Sequence, residues 1–287
     1  MSFTLFPASP ALSRDVETIR FARYEGDTSL AVTVCPNGLP GLVFSWAGDA
    51  GAIESLRTRS ASLDNVPPLF LHGQGSQPSV MRFVPRPYTS IQVAFRAFGL
   101  HTIFGIDATR LVFGLLEPAA FDATELDEQL RQARDVGARI ALLQEFLERR
   151  LAAGPPRDEG IENVIAHIEA HPSTVTVRDL LDVIHTSERQ LQRRFAKVVG
   201  GTPKQYIRVK RVNEALRLIR SGNYGTLADV AHALNYFDQS HFIRDLRELS
   251  WATPRSLAQR VTEFHHDAGG ASYEEGGFSQ FVAAPPP

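Results

Sequence analysis

The chain has 287 residues, with 43% hydrophobic, 22% charged and 9% aromatic side chains, the composition of a soluble globular protein of about two domains. Thirty basic and 32 acidic groups give a net charge of −2, which excludes a uniformly basic protein that coats nucleic acid. One cysteine, Cys35, excludes an internal disulfide framework and a Cys-rich zinc site. No run of about 18 apolar residues marks a membrane span. The opening MSFTLFPASP lacks the basic and apolar regions of a secretory signal, so the expectation is a cytoplasmic protein.

Residues 1–117 read as strands and turns. The runs Leu30-Ala31-Val32-Thr33-Val34, Leu42-Val43-Phe44 and Ile91-Gln92-Val93-Ala94-Phe95 are short, and they alternate with Pro36-Asn37-Gly38, Ala47-Gly48-Asp49 and His72-Gly73-Gln74-Gly75. Short strands with Gly and Pro punctuation point to a sandwich or barrel. The period then changes. Asp122 is read as the cap of a helix that turns Leu126 and Leu130 inward, with Gly137 as its interruption. After Gly137, Ile140, Leu143, Leu147 and Leu151 recur every three or four residues, one apolar helical face. That face suits either dimerisation or packing on the β domain, two readings of equal weight. Gly154-Pro155-Pro156 cannot continue a helix and has little to bury.

This divides the chain into a β-rich domain with trailing helices at 1–152, a linker at 153–160, a helical domain at 161–261, and a tail at 262–287 read as disordered. Charge follows the same division. Residues 158–261 hold 15 basic and 12 acidic groups, while 262–287 hold no basic and four acidic ones, so the tail conceals the positive excess.

Residues 158–261 contain one layout twice. A short helix starts at Thr176, turns at His185-Thr186-Ser187, and a second helix runs from Glu188 to Val198, ended by Gly200. Likewise a short helix starts at Thr226, turns at Asn235-Tyr236-Phe237, and a second helix runs from Asp238 to Leu249. A longer amphipathic helix from Pro203 to about Arg220 joins the copies, with Tyr206, Ile207, Val212, Ala215, Leu216 and Ile219 inward. Short helix, tight turn, second helix is the helix-turn-helix plan. In copy one Leu191, Phe195 and Val198 must pack, leaving Arg189, Gln192 and Arg193 on the opposite face. In copy two Phe242, Leu246 and Leu249 pack, leaving Gln239, Ser240 and Arg244 outward. Arginine is bidentate to guanine and glutamine to adenine, so these are side chains that read base edges. One such helix is more often a solvated bundle face; two copies with the same outward chemistry weigh against that.

The order Ser187-x-Arg189-x-Leu191-x-Arg193-x-Phe195, Gly200-x-Thr202-Pro203-x-x-Tyr206, Arg211, Ala215, Ala231, Tyr236, Asp238-Gln239-Ser240-His241-Phe242-x-Arg244 and Thr253-Pro254 resembles the AraC/XylS-type bacterial transcription regulators, over about Ile161 to Arg260. The resemblance implies an α+β chain: a β-rich, cupin-like N-terminal domain before an all-α double helix-turn-helix domain. It implies two units reading adjacent major-groove segments of double-stranded DNA. Arg189, Gln192 and Arg193 would be the base-reading set of unit one and Gln239, Ser240 and Arg244 that of unit two, with Lys197 and Lys204 on phosphates. It departs from the family where His185 and Asn235 stand at glycine turn positions, where Trp251 replaces a glycine before Thr253-Pro254, and where Leu246 replaces a core phenylalanine. The N-terminal half is similar to a little-characterised β-rich domain that precedes such units, through Phe6-Pro7-x-x-Pro10-x-Leu12, Pro36-Asn37-Gly38, His72-Gly73-Gln74 and Ile91 to Gly99. It implies a sensor or dimerisation module, so the implied partners are a small-molecule effector, a second copy of the chain and RNA polymerase.

Catalytic chemistry finds little support. His72 and His101 stand alone in sequence, His265-His266 falls in the tail, and no nucleotide-binding or nucleophile-elbow motif occurs. No catalytic residue, metal or cofactor is expected. Cys35 has no basic neighbour within five residues to activate it and reads as a small buried hydrophobe rather than a redox or methyl-accepting site. A metal-dependent cupin-like enzyme or small-molecule binder with an accessory helical domain is the second reading.

Overall fold

The computed structural model describes residues 2–111, 114–222, 224–259, 264–267 and 270–274. Its β-rich part is two antiparallel sheets. In the first, β1 (Ser2–Phe6), β2 (Val16–Tyr24), β10 (Tyr88–Phe95), β4 (Gly41–Ala47), β8 (Leu69–His72) and β11 (Leu115–Leu116) lie side by side, with β5 (Ala50–Gly51) on β4. In the second, β12 (Phe264–Asp267), β13 (Gly270–Glu274), β3 (Ala31–Val34), β9 (Ser79–Phe83), β6 (Ile53–Arg57) and β7 (Ser62–Asp64) follow in that order. The apolar runs read from the sequence are thus β3, β4 and β10.

The middle of the first sheet is buried on both faces, while β1 at its edge is exposed, and strand alternation sorts the side chains. Leu42 and Phe44 of β4, Leu69 and Leu71 of β8, and Ile91, Val93 and Phe95 of β10 face one way. They pack under α1 (Gly99–Phe104), α2 (Thr124–Gln132) and α3 (Val136–Ala152). Val43, Phe70 and Tyr88 face the other way, against Ile53 and Phe83 of the second sheet. The α3 face is settled by this packing: Ile140, Leu143, Phe146 and Leu147 are all buried in the first core, so it is not a free dimerisation surface.

Three local expectations are corrected. Asp122 does not cap α2; it sits in the left-handed region at φ 56°, and its carboxylate accepts from Arg150 Nη1 at 2.9 Å. Gly137 is not the interruption. The chain breaks two residues earlier, where Asp135 caps α3 by accepting from the Ala138 N–H at 2.8 Å. The tail is not wholly disordered: β12 and β13 form a hairpin whose Ser272, Tyr273 and Glu274 pair with Val34, Thr33 and Val32 of β3. The exposed edge of β3 offers unpaired backbone groups, and a following strand satisfies them despite the polar, Gly-rich composition. The rest of the tail lies outside the described residues.

The helical part begins with α4 (Glu159–Ala170). Unit one is α5 (Val177–Ile184) and α6 (Glu188–Val199); α7 (Pro203–Ser221) connects; unit two is α8 (Leu227–Ala233) and α9 (Gln239–Ser250); α10 (Pro254–Gln259) follows. Caps fix these starts. Thr176, Thr202 and Thr226 each close a capping box with Asp179, Gln205 and Asp229, while Ser187 and Asp238 cap α6 and α9. The connecting helix buries all six residues assigned to its inner face.

Three residues in the turns and caps of the helical part carry a conformational cost. His185, Asn235 and Trp251 all have positive φ, at 50°, 55° and 52°. Left-handed backbone costs an L side chain roughly 1–2 kcal/mol, least for asparagine. His185 is exposed, so His185→Gly relieves strain without opening a cavity. It is expected to stabilise the folded chain by about 1 kcal/mol, after allowing for glycine's freedom when unfolded. A thermal melt that showed no rise would mean His185 makes a compensating contact.

Candidate nucleic-acid interface

Each unit holds its second helix by burying one face. In α6, Leu191, Phe195, Val198 and Val199 are buried; in α9, Phe242, Leu246 and Leu249 are. Leu246 is fully buried. What remains outward is the set of side chains that the sequence marks as candidate base readers. Arg189, Gln192 and Arg193 are exposed together on α6, with Lys197 one turn on, and Gln239, Ser240 and Arg244 are exposed together on α9. Lys204 is exposed in the first turn of α7.

Neighbouring arginines have different jobs. Arg194 turns away from the reading face: its Nε donates to Asp158 Oδ2 at 3.0 Å, tying α6 to the cap of α4. Burial raises the Asp158 pKa, but the hydrogen bonds from Arg194 and the Ile161 N–H outweigh it and the pKa ends low. Arg208 on α7 similarly pairs with Asp245 at 2.9 Å and with Glu248, fixing α9 against the connecting helix. On the outward face itself, Gln192 Nε2 donates to Glu188 Oε1 at 3.0 Å.

One feature of unit two escaped the motif reading. Thr226 caps fifty positions after Thr176, and Asn235 turns fifty after His185, but Asp238 caps 51 after Ser187. The second turn therefore holds one more residue. Tyr236 goes into the core, with its ring centroid 5.3 Å from that of Phe242, and Phe237 is left 95% exposed beside the start of α9. The extra residue was visible as a spacing difference, but its exposure was not.

The two parts of the chain are joined by packing as well as by sequence. Ala97 and Phe98 lie in the same core as α4, α6 and Tyr206, and Cys35 lies in the core of unit two with Val209 and Val212. Burial pushes the Cys35 thiol up to about 12, so no thiolate forms near neutral pH. Tyr206 Oη donates to Glu169 Oε1 at 2.7 Å, and Lys210 Nζ reaches the same oxygen at 2.9 Å. His72 on β8 and His101 on α1 are not brought together. Among the described residues no group of three or more His, Cys, Asp or Glu stands close enough to hold a metal ion.

A helix-turn-helix domain model matches residues 180–260, which include both α6 and α9. The chain is 40% identical over 65 residues to a putative AraC-like transcription regulator of Streptomyces lividans, a match over 23% of this chain and 21% of that protein. Residues 180–260 are thus a helix-turn-helix domain. A domain of unknown function, DUF6597, matches residues 4–113, the β-rich half. The uncharacterized HTH-type transcriptional regulator YidL of Escherichia coli K12 is 31% identical over 115 residues, 39% of this chain and 38% of its own length. The chain thus spans well under half the length of these curated relatives. Among solved structures, ToxT from Vibrio cholerae aligns over 91% of this chain and 98% of its own, at 10% identity and a TM-score of 0.47. Among the described residues, no helix is long and apolar enough to cross a membrane.

Proposed function

We propose that the chain is a sequence-specific, DNA-binding transcription regulator whose α6 and α9 enter adjacent major-groove segments. The observation that carries this is the pair of outward faces: two helices, each anchored by a buried apolar side, each presenting exposed Arg and Gln outward. Lys197 and Lys204 act on phosphates. On this reading the partners are double-stranded DNA, a small-molecule effector acting through the β-rich domain, RNA polymerase and a second copy of the chain, in the cytoplasm. Because the α3 face is taken by the core, a second copy would meet another surface.

The test is duplex binding by the full chain against salt. Each phosphate neutralised contributes roughly −0.9 to the slope of log affinity against log salt. A slope of several units is expected, with protection of two groove segments about 34 Å apart on one face of the duplex. Protection of a single segment would show that unit two does not dock.

Phe237 extends the reading set. Apolar side chains recognise the thymine methyl in the major groove, and removing that contact costs about 0.8 kcal/mol, roughly fourfold in affinity. Replacing one thymine by uracil in the unit-two half-site is therefore expected to weaken the native chain about fourfold and to leave Phe237→Ala unaffected. Equal sensitivity of both proteins at every thymine would remove Phe237 from the interface.

A further inference from the structure

Between the two sheets lies a cavity of about 440 Å³, within the size range of small-molecule sites. Leu56, Phe70, Met81 and Leu115 give it apolar walls, and His72 and Gln92 are among its polar groups. Among the described lining residues Glu117 is the one acidic side chain, and no lysine or arginine is present. The Arg20 guanidinium is not itself a lining group and is already bound to Gln92 Oε1, so an anion would enter beside the Glu117 carboxylate with no cation in the described wall, which is costly in a partly enclosed site. His72 does not supply one. Burial lowers its pKa and outweighs the bond between Nδ1 and the Gly73 carbonyl, 3.0 Å away, so the ring is neutral near pH 7.

One wall has a second face. Cys35, Pro36, Asn37 and Leu39, between β3 and β4, line the cavity. The same segment is docked on the helix that connects the two reading units. Asn213 Nδ2 of α7 donates to the Pro36 carbonyl at 2.7 Å, and Cys35 packs with Val209 and Val212. Gly38, at φ 82°, lies so close to α7 that a Cβ there would come within 2.8 Å of the Tyr206 ring. The wall is complete only while this segment is docked, so a molecule touching it has different affinities for the docked and undocked states. That difference is what a ligand needs to shift a conformational equilibrium.

We infer that the cavity binds an uncharged, mostly apolar small molecule, and that its occupation is coupled to DNA affinity through the docking of Cys35–Leu39 on α7. The coupling rests on the regulator reading above; the ligand class does not. By linkage, DNA must then change ligand affinity by the same factor that ligand changes DNA affinity.

The probes are decan-1-ol and decanoate, alike in shape and different in charge at pH 7.5, titrated calorimetrically into the full chain. The alcohol is expected to bind at least tenfold more tightly than the acid. Equal binding of the two, or no binding of the alcohol up to its solubility, overturns the ligand class. Leu56→Trp and Met81→Trp, each first checked for native circular dichroism, should abolish uptake by filling the space; uptake unchanged in a folded variant places the alcohol elsewhere and overturns the site. Duplex affinity is then measured with and without the alcohol. A change of about fivefold or more is expected in the native chain. Asn213→Ala should keep alcohol binding but lose most of that change. A full native response in Asn213→Ala overturns the route through Pro36. Uptake of the alcohol by a chain that binds no duplex supports the ligand class while overturning both the coupling and the regulator reading.

Discussion

Arg193→Ala is expected to lower affinity for the cognate duplex by about 1–3 kcal/mol, roughly five- to 150-fold, and to relax preference at one or two base pairs. The guanidinium is exposed and stands opposite the buried Leu191 and Phe195, so its loss leaves the core of unit one intact. Arg244→Ala should do the same in the other half-site, since Arg244 holds the matching position on α9. Two controls separate reading from general attraction. Lys197→Ala, one turn further along α6, should weaken all duplexes alike and reduce the salt slope by about one. Arg194→Ala should lower thermal stability, because Arg194 ties α6 to Asp158. Binding-site selection with each variant decides. If Arg193→Ala and Lys197→Ala reduce affinity equally for every sequence, Arg193 touches phosphate and α6 docks in another orientation.

The helical half was legible because its determinants are local. Thr176, Ser187, Thr202, Thr226 and Asp238 announce helix starts within three residues of their partners, and Leu191, Phe195 and Val198 announce a buried face through their spacing. His185 and Asn235 stand at the turn positions that the repeat marks, and both adopt left-handed backbone there. Trp251 shows the same demand met by a bulky residue, with Arg59 of the β-rich part over its ring at 5.9 Å to the centroid. Asp122 was misread because a carboxylate before a helix fits both a cap and an ion pair, and the choice depends on Arg150. The α3 face had two equal readings, since periodicity shows that a face is buried and says nothing of what covers it. The cavity, the docked Cys35–Leu39 wall and the hairpin on β3 left no signature for a similar reason. They arise from segments up to 240 residues apart, and no spacing rule joins Val34 to Ser272.

Asp15→Ala is expected to cost about 3–5 kcal/mol, the loss typical of breaking a buried ion pair from one side. Asp15 is 1% exposed and follows the Ser9–Leu12 turn that enters β2. Its Oδ1 accepts from Thr102 Oγ1 at 2.7 Å and from Arg157 Nη2 at 3.0 Å, and its Oδ2 accepts from Arg157 Nη1 at 3.1 Å. Arg157 also donates through Nε to Glu162 Oε1 at 2.8 Å, and Arg14 reaches Glu162 Oε2 at 2.7 Å. Burial disfavours the charge on Arg157, but its bonds to the two carboxylates outweigh this and raise its pKa. The network therefore pins the first core, through Asp15 and Thr102, to the start of α4. Removing the Asp15 carboxylate leaves a two-carboxylate site with one carboxylate and a half-buried guanidinium with half its acceptors. The thermal midpoint should fall by roughly 10 °C, at 2–4 °C per kcal/mol for a chain of this size. Asp15→Asn, which keeps an acceptor for Thr102, should lose less. The double variant Asp15→Ala with Arg157→Leu should recover part of the loss, because removing both partners leaves fewer unpaired buried groups. Duplex affinity gives a readout that stability alone would not move. If the network orients α4 and unit one, Asp15→Asn should weaken binding at temperatures where it remains fully folded. A midpoint shift below about 2 °C for Asp15→Ala would show that the apolar contacts of Phe98 with Ile161 and Leu191, rather than this network, hold the two parts together.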